Sequence, residues 1–262
     1  MKVLLLDIGN LSLRLSVYED RKNIAEFKVY SDKLKSAGEY QEQFKQFLSY
    51  REIQASSLDG ALLCSVVPSL TKRIKNAVEN LLKKPCLIVS KSLKTGLAIR
   101  MDNPAELGSD LLSEAVGAIS DYKADVMVAD LSSCASFFVV SQKKGYIGGA
   151  LFPGLTSSST GLISSSAQLM DIEFETPVRL VGKSTRECLN SGIVLGYADL
   201  VRNFHQRMEK ETGVKLQGVL TGDDASILAP LLKDEFIVNK DLVFDGLYEI
   251  YLKNSKIPSD HQ

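Results

Sequence analysis

Three aspartates, each beside small residues, are the side chains of this sequence best suited to chemistry. Asp7 closes an apolar run and is followed by Ile8, Gly9 and Asn10. A carboxylate at the end of a buried strand, followed by a glycine turn, sets an acid and backbone N–H donors at one edge of a sheet. Such a turn can wrap phosphates, because N–H groups approach closely where no Cβ intrudes. The acid can hold a hydrated cation that neutralises those phosphates. The plainer alternative is a hairpin turn closed by an Asx hydrogen bond. Asp130 recurs at the matching point of the second half, 123 residues later. Asp110, in Gly108-Ser109-Asp110, is a candidate general base for a hydroxyl proton during phosphoryl transfer. Its alternative is an acid that complements a helix N-terminus. There are two histidines, His205 in a charged helical stretch and His261 in a polar tail, so a general base is expected to be a carboxylate. Gly148-Gly149, Pro153-Gly154 and Thr221-Gly222 read as turns or as places where backbone meets a ligand. Gly182-Lys183-Ser184-Thr185 has the closing residues of a Walker A motif, but Pro177 stands where its leading glycine belongs, which excludes a P-loop.

The elements that must position these acids repeat. Residues 2–7 read as a strand. Residues 11–18 alternate, with Leu11, Leu13, Leu15 and Val17 facing one way and Ser12, Arg14, Ser16 and Tyr18 the other, the pattern of a half-buried strand. A charged turn and a third strand over about 24–30 complete an antiparallel meander. Ser36 is placed to cap a helix with Tyr40, Phe44, Phe47 and Leu48 on one face. Residues 61–67 read as a buried strand stopped by Pro68, and the next helix turns Leu70, Ile74, Ala77, Val78, Leu81 and Leu82 to one side. A short strand at 86–89 follows, and Asn103-Pro104 is expected to start a helix running to about Tyr122. The second half opens the same way, with strands over 126–130, about 134–141 and about 146–151. The serine-rich stretch 154–168 reads as a weak helix or a loop, or as a segment that orders over a ligand. A long helix over 185–211 carries Ile193, Tyr197, Leu200, Val201, Phe204 and Met208 on a face suited to a core or a dimer seam. A strand at 216–220, a helix, a strand at 236–238 and a last helix follow, with a polar, frayed end over about 254–262. The pattern predicts a duplicated α/β fold, with halves 1–122 and 123–262 about a central cleft.

Composition narrows the class. The 262 residues carry 31 basic and 32 acidic side chains and 45% apolar content. That excludes a disordered chain and gives no electrostatic footprint for nucleic acid. No apolar run approaches the roughly 18–20 residues of a membrane span, and the N-terminus does not read as a signal peptide, so no membrane association is expected and the cytoplasm is the expected compartment. Cysteines 64, 86, 134 and 188 are widely spaced, which argues against zinc or a disulfide framework.

Taken together, the motifs resemble the type III pantothenate kinase family. Asp7-Ile8-Gly9-Asn10 is similar to its D-x-G-N-T, and Cys64-Ser65-Val66-Val67-Pro68 to its S-S-V-V-P. Lys94-Thr95-Gly96-Leu97, Asp102-Asn103-Pro104 and Gly108-Ser109-Asp110-Leu111 resemble K-T-G-L, Y-D-N-P and G-A-D-R. Asp130 to Phe137 matches D-F-G-T-A-T-T-F. Gly148-Gly149-Ala150 with Pro153-Gly154 matches G-G-x-I-x-P-G, and Gly182-Lys183-Ser184-Thr185 with Ser191-Gly192 matches G-x-N-T followed by S-G. The resemblance implies an actin-like ATPase (ribonuclease H-like) fold and a homodimer. It implies phosphorylation of pantothenate by ATP with Mg²⁺, the first step of coenzyme A biosynthesis, and a monovalent cation, K⁺ or NH₄⁺. It places Asp7, Gly9, Asn10, Leu11, Ser12 and Ser133 at ATP, with Asp7 also toward Mg-ATP. It places Met101, Gly108, Ser109, Asp110, Leu111 and Thr185 at pantothenate, with Asp110 the base, and Asp130 at the monovalent cation.

Several positions depart from the family. Leu11 replaces a threonine and Leu111 an arginine, deleting a hydroxyl donor and a cation that leucine cannot replace. Met101 stands for a tyrosine, Ala135 loses a hydroxyl, Phe138 replaces an aspartate, and Asp223 replaces the second glycine of T-G-G. Each lost charge-assisted hydrogen bond costs roughly 1.5–3 kcal/mol, about ten- to a hundredfold if felt in the transition state. The expected enzyme is a divergent kinase of weakened activity. The alternative is a catalytically degenerate relative with a binding or regulatory role.

Overall fold

The computed structural model describes residues 1–90, 92–166, 169 and 171–255. The polar tail from residue 256, with His261, lies outside them, as do residues 167 and 168 of the serine-rich stretch. The chain forms two compact units.

The first unit comprises residues 1–97, 103–120 and the chain from Asp241 on. Strands β1 (Lys2–Ile8), β2 (Ser12–Glu19) and β3 (Lys22–Tyr30) make the expected meander. Helix α1 (Ala37–Tyr50) starts at Ser36, whose hydroxyl accepts from the Glu39 N–H while the Glu39 carboxylate takes the Ser36 N–H, a reciprocal capping box. Strand β4 (Gly60–Ser65), helix α2 (Pro68–Leu82) and strand β5 (Cys86–Ile88) follow. The sheet order is β3-β2-β1-β4-β5, with β4 and β5 parallel to β1. One face buries Leu4, Leu6, Ile8, Leu13, Leu15, Leu63 and their neighbours under α1 and α2. Tyr40, Phe44, Phe47 and Leu48 of α1 point into this core as their spacing predicts.

The other face of the sheet was expected to be polar and is instead covered. Helix α3 (Ser109–Tyr122) and helix α7 (Leu242–Asn254) belong to this unit. Ser16 and Tyr18 are therefore buried rather than solvated. Tyr18 packs on Phe244 and Tyr248 and donates to Asp245 at 2.7 Å, and the Arg14 guanidinium lies 4.7 Å from the centre of the Phe244 ring. Alternation alone cannot reveal a helix that returns from the far end of the chain. Helices α3 and α7 meet backbone to backbone: a Cβ on Gly117 would stand 2.5 Å from the Leu242 oxygen, and one on Gly246 would collide with the Ser113 carbonyl. The expected helix from Pro104 is also divided. Pro104–Glu106 form a short 3₁₀ turn, with the Asn103 side chain accepting from the Ala105 N–H, and α3 begins only at Ser109. That break brings Asp110 to the first turn of α3.

The second unit comprises residues 98–102 and 121–240. Strands β6 (Val126–Leu131), β7 (Cys134–Ser141) and β8 (Gly145–Pro153) form a second meander. Helix α4 (Leu155–Ser164) occupies most of the serine-rich stretch, so this part is helical. Helix α5 (Thr185–Thr212) is capped by Ser184 and ends at Gly213 in the left-handed region. Strand β9 (Gln217–Thr221), helix α6 (Ala225–Leu232) and strand β10 (Phe236–Val238) complete the unit. The sheet order, β10-β9-β6-β7-β8, repeats that of the first unit strand for strand. Ile193, Tyr197 and Val201 of α5 are buried with Phe137 and Val139, and Leu200, Phe204 and Met208 pack at the margin, so this face is core. One boundary between the two units falls after Ser120. The last helix, expected in the second half, packs instead with the first unit. No helix among the described residues is long and apolar enough to cross a membrane.

Candidate active site

Alternation along β1 decides where Asp7 goes. Leu6 and Ile8 point into the α1/α2 core, so Asp7 points to the opposite face, beside Arg14 of β2 and Cys64 of β4 in register. The Cys64 thiol is fully buried and donates to Asp7 Oδ1 at 3.4 Å. The turn after Asp7 is tied to its own hairpin. The Gly9 N–H donates to the Ser12 carbonyl at 2.9 Å, and the Ser31 hydroxyl donates to the Gly9 carbonyl at 2.7 Å. The Gly9 donor expected to be free is thus committed to the hairpin. Asn10 and Leu11 are exposed at the tip, Leu11 by 53%.

Asp110 reaches the same neighbourhood from α3. Its helix start is fastened to the end of β4 by one side chain: the Ser65 N–H donates to Ser109 Oγ at 2.9 Å, and that hydroxyl donates to the Ser65 carbonyl at 3.1 Å. Asp110 Oδ1 accepts from the Leu111 N–H at 2.9 Å. Burial nevertheless pushes the Asp110 carboxyl above its ordinary range, against the opposing pull of the Leu111 and Asp110 backbone N–H groups. A Cβ on Gly108 would collide with the Asp110 carboxylate, so the glycine leaves the space that this acid fills. Both acids act on Cys64. Burial first, then the charges of Asp7 and Asp110, and finally that of Glu114, push its thiol well above the usual range. The structure thus brings Asp7 and Asp110 together about Cys64, with buried Glu114 one turn further along α3.

In the second unit Asp130 occupies the place on β6 that Asp7 has on β1. It is buried, accepts from the Ser132 hydroxyl at 2.5 Å, and lies in register with Ser136 and Thr221. Gly222, at φ +90°, lies against it. A Cβ there would collide with the Asp130 carboxylate and stand 2.6 Å from the Leu131 backbone. Ser133 is exposed, and its carbonyl accepts from the Gly154 N–H at 3.2 Å and the Ser157 hydroxyl at 2.8 Å. The Tyr197 hydroxyl reaches the Pro153 carbonyl and stands 2.8 Å from Ser158 Oγ. The turn and the start of α4 are thereby held together. Thr185 is exposed at the first turn of α5 and lines a cavity of about 510 Å³ with Asp171, Glu173 and Arg186. Gly182-Lys183-Ser184-Thr185 serves as a helix cap: Ser184 accepts from the Glu187 N–H, and the Glu187 carboxylate takes the Lys183 N–H at 2.8 Å. Met101 is half-buried in this unit.

Two residues of this site, Cys64 and Glu114, are not among the candidates that the sequence offers. The signal for Cys64 was the pairing of the strand at 61–67 beside β1; for Glu114 it was a second acid four residues after Asp110. Lys94-Thr95-Gly96-Leu97 also has a structural use. The Asn254 side chain bonds both the N–H and the carbonyl of Lys94 at 3.0 Å, and Lys253 Nζ donates to the Thr95 carbonyl at 2.6 Å. All four cysteines are free.

A family model described as type III pantothenate kinase matches residues 3–207. A type III pantothenate kinase of Dehalococcoides mccartyi (strain CBDB1) is 33% identical over 253 residues, spanning 97% of this chain and 96% of the relative. One of Moorella thermoacetica is 31% identical over 253 residues, spanning 97% of this chain and all of the relative, 100%. Among solved structures, a conserved putative Baf family transcriptional activator from Campylobacter jejuni is similar with a TM-score of 0.61 at 18% identity, over 97% of this chain and 100% of that one. A putative N-acetylglucosamine kinase from Porphyromonas gingivalis is similar with a TM-score of 0.52 at 10% identity, over 97% and 99%. These likenesses agree with the duplicated two-domain actin-like α/β fold that the matching sheets display.

Proposed function

The chain belongs to the type III pantothenate kinase family, and on that premise we propose which of its residues carry the ATP-dependent phosphorylation of pantothenate, the first step of coenzyme A biosynthesis. Asp110 is the general base. It takes the proton of the pantothenate hydroxyl as that oxygen attacks the γ-phosphorus of ATP, and ADP leaves. The observation that carries this reading is the placement of Asp110: a half-buried carboxylate at the first turn of α3, raised by burial, beside Asp7 across Cys64. A base is most effective when its pKa lies near the working pH, and burial moves Asp110 in that direction.

Phosphoryl transfer rests mainly on positioning and charge neutralisation. Asp7 would hold the metal that accompanies ATP, and Gly9, Asn10, Leu11 and Ser12 of the first unit, with Ser133 of the second, are the residues proposed for the nucleotide. The Asp130 carboxylate and the Ser132 hydroxyl offer the hard oxygen donors that suit K⁺ or NH₄⁺, and Gly222 keeps that side of the carboxylate clear of a side chain. Gly108, Ser109 and Leu111 of the first unit, with Met101 and Thr185 of the second, are the residues proposed for pantothenate. Leu111 offers its N–H to Asp110 and no cation to the pantothenate carboxylate, which supports the expectation of weakened activity. The working form is a homodimer in the cytoplasm.

The test is ADP release from ATP and Mg²⁺ with K⁺ present, with and without pantothenate, and mass spectrometry of the product. Pantothenate-dependent release with formation of phosphopantothenate, lost in Asp110→Asn, is expected. Release that ignores pantothenate, or full activity in Asp110→Asn, would overturn the assignment.

A further inference from the structure

The thiol between the two acids of the first unit has a role that neither its burial nor its family motif assigns. We propose that Cys64 is a positioning residue, which fixes the Asp7 carboxylate for ATP. This deepens the proposed kinase reading and rests on it.

Three observations support the role. Cys64 is the in-register neighbour of Asp7 across the parallel β1–β4 pair, so the two side chains leave the sheet on the same face. Its thiol is 0% exposed and donates to Asp7 Oδ1 at 3.4 Å. The next residue, Ser65, is fastened through both backbone groups to Ser109 Oγ, which locks the end of β4 to the start of α3. Cys64 therefore sits where the strand that carries Asp7 meets the helix that carries Asp110. A buried neutral donor suits this place. A cation would pair with the carboxylate and draw it from the metal that ATP brings, and an apolar group would remove the hydrogen bond that the thiol donates.

Calorimetric affinity for ATP with Mg²⁺ provides the test, alongside the Michaelis constants of both substrates and the melting temperature. Cys64→Ala is expected to weaken ATP about three- to tenfold, the size of one weak hydrogen bond to a charged group, and to leave the pantothenate Michaelis constant unchanged. Cys64→Ser, which restores a donor, is expected to recover the wild-type affinity. If Cys64→Ala does not fold, Cys64→Val fills the space without a strong donor and takes its place. Equal ATP affinity in wild type and Cys64→Ala overturns the role. So does equal loss in the alanine and serine variants, which would make the site one of packing alone. Wild-type protein that binds ATP without phosphorylating pantothenate would sink the substrate reading and leave this one standing on the calorimetry. Wild-type protein that binds no ATP would overturn both.

Discussion

At the end of β1, Asp7 lies beside a thiol, and α3 brings a second carboxylate to the same face of the sheet. At the end of β6, the equivalent Asp130 accepts from a hydroxyl and lies against a glycine backbone. The strand order around the two acids is the same. The difference comes from what covers the sheet. In the first unit α3 and α7 close over the Asp7 face through Gly117 and Gly246, and the start of α3 adds a desolvated acid. In the second, polar side chains and turn backbone surround the carboxylate. Duplication thus supplies two strand-end aspartates, and the local cover decides their chemistry.

The sharpest way to break this contrast is Asp110→Asn. Removing a general base typically costs about 10²–10⁴ in rate, and a loss of that size is expected in kcat, with ATP affinity retained. The same substitution is expected to raise the melting temperature at neutral pH. Asp110 has a folded pKa above its unfolded value. Its stabilising contribution is therefore complete below the unfolded pKa and is lost as pH rises through the folded one. At neutral pH the wild type ionises a desolvated acid, and asparagine does not. The stability gain should shrink toward acid pH, where the wild-type acid is also neutral. In the wild type, kcat should fall with decreasing pH on a limb above the ordinary carboxylate range, since the base must be ionised to act. A base in the second unit instead would leave that limb intact in Asp110→Asn.

A smaller effect is expected at the neighbouring position. Leu111→Arg restores a cation beside the acid, and a charge-assisted hydrogen bond of roughly 1.5–3 kcal/mol corresponds to a pantothenate Michaelis constant about ten- to a hundredfold lower. An unchanged constant would show that the carboxylate of the substrate is already neutralised by another residue of the chain.

How much of this was legible in the sequence depended on the range of the interaction. The capping box at Ser36 and Glu39, the inward face of α1 and the repeat that places Asp7 and Asp130 are local or periodic, and residue types alone reveal them. The burial of Ser16 and Tyr18 was hidden, because the helix that covers them lies more than two hundred residues away; Tyr18 donates to Asp245. The start of α3 was misplaced because Pro104 suits a first helical position equally well in a 3₁₀ turn. Cys64 was read only as part of a motif, since its chemistry arises from a parallel strand pairing.

The glycines test the comparison from the backbone side. Gly9 drew attention in the sequence, yet its φ is not positive and a Cβ there would meet only the Ser12 carbonyl, at 3.2 Å. Gly222 combines φ +90° with no room for a Cβ. Gly9→Ala should change stability by less than about 0.5 kcal/mol. Gly222→Ala should cost about 2 kcal/mol through the left-handed conformation alone, measured by denaturant unfolding. Similar losses at both positions would mean that the two turns are built alike after all.

A modest effect is expected at Ser132. Its hydroxyl donates to Asp130 at 2.5 Å, and Ser132 is only half-buried, so water can take over part of the bond. Ser132→Ala should therefore cost about 1 kcal/mol of stability. If Asp130 holds the monovalent cation, the same substitution should raise the K⁺ concentration needed for half-maximal activity and leave the acid limb of kcat unmoved, because that limb belongs to Asp110. A shifted acid limb with unaltered K⁺ dependence would reverse the roles assigned to the two units.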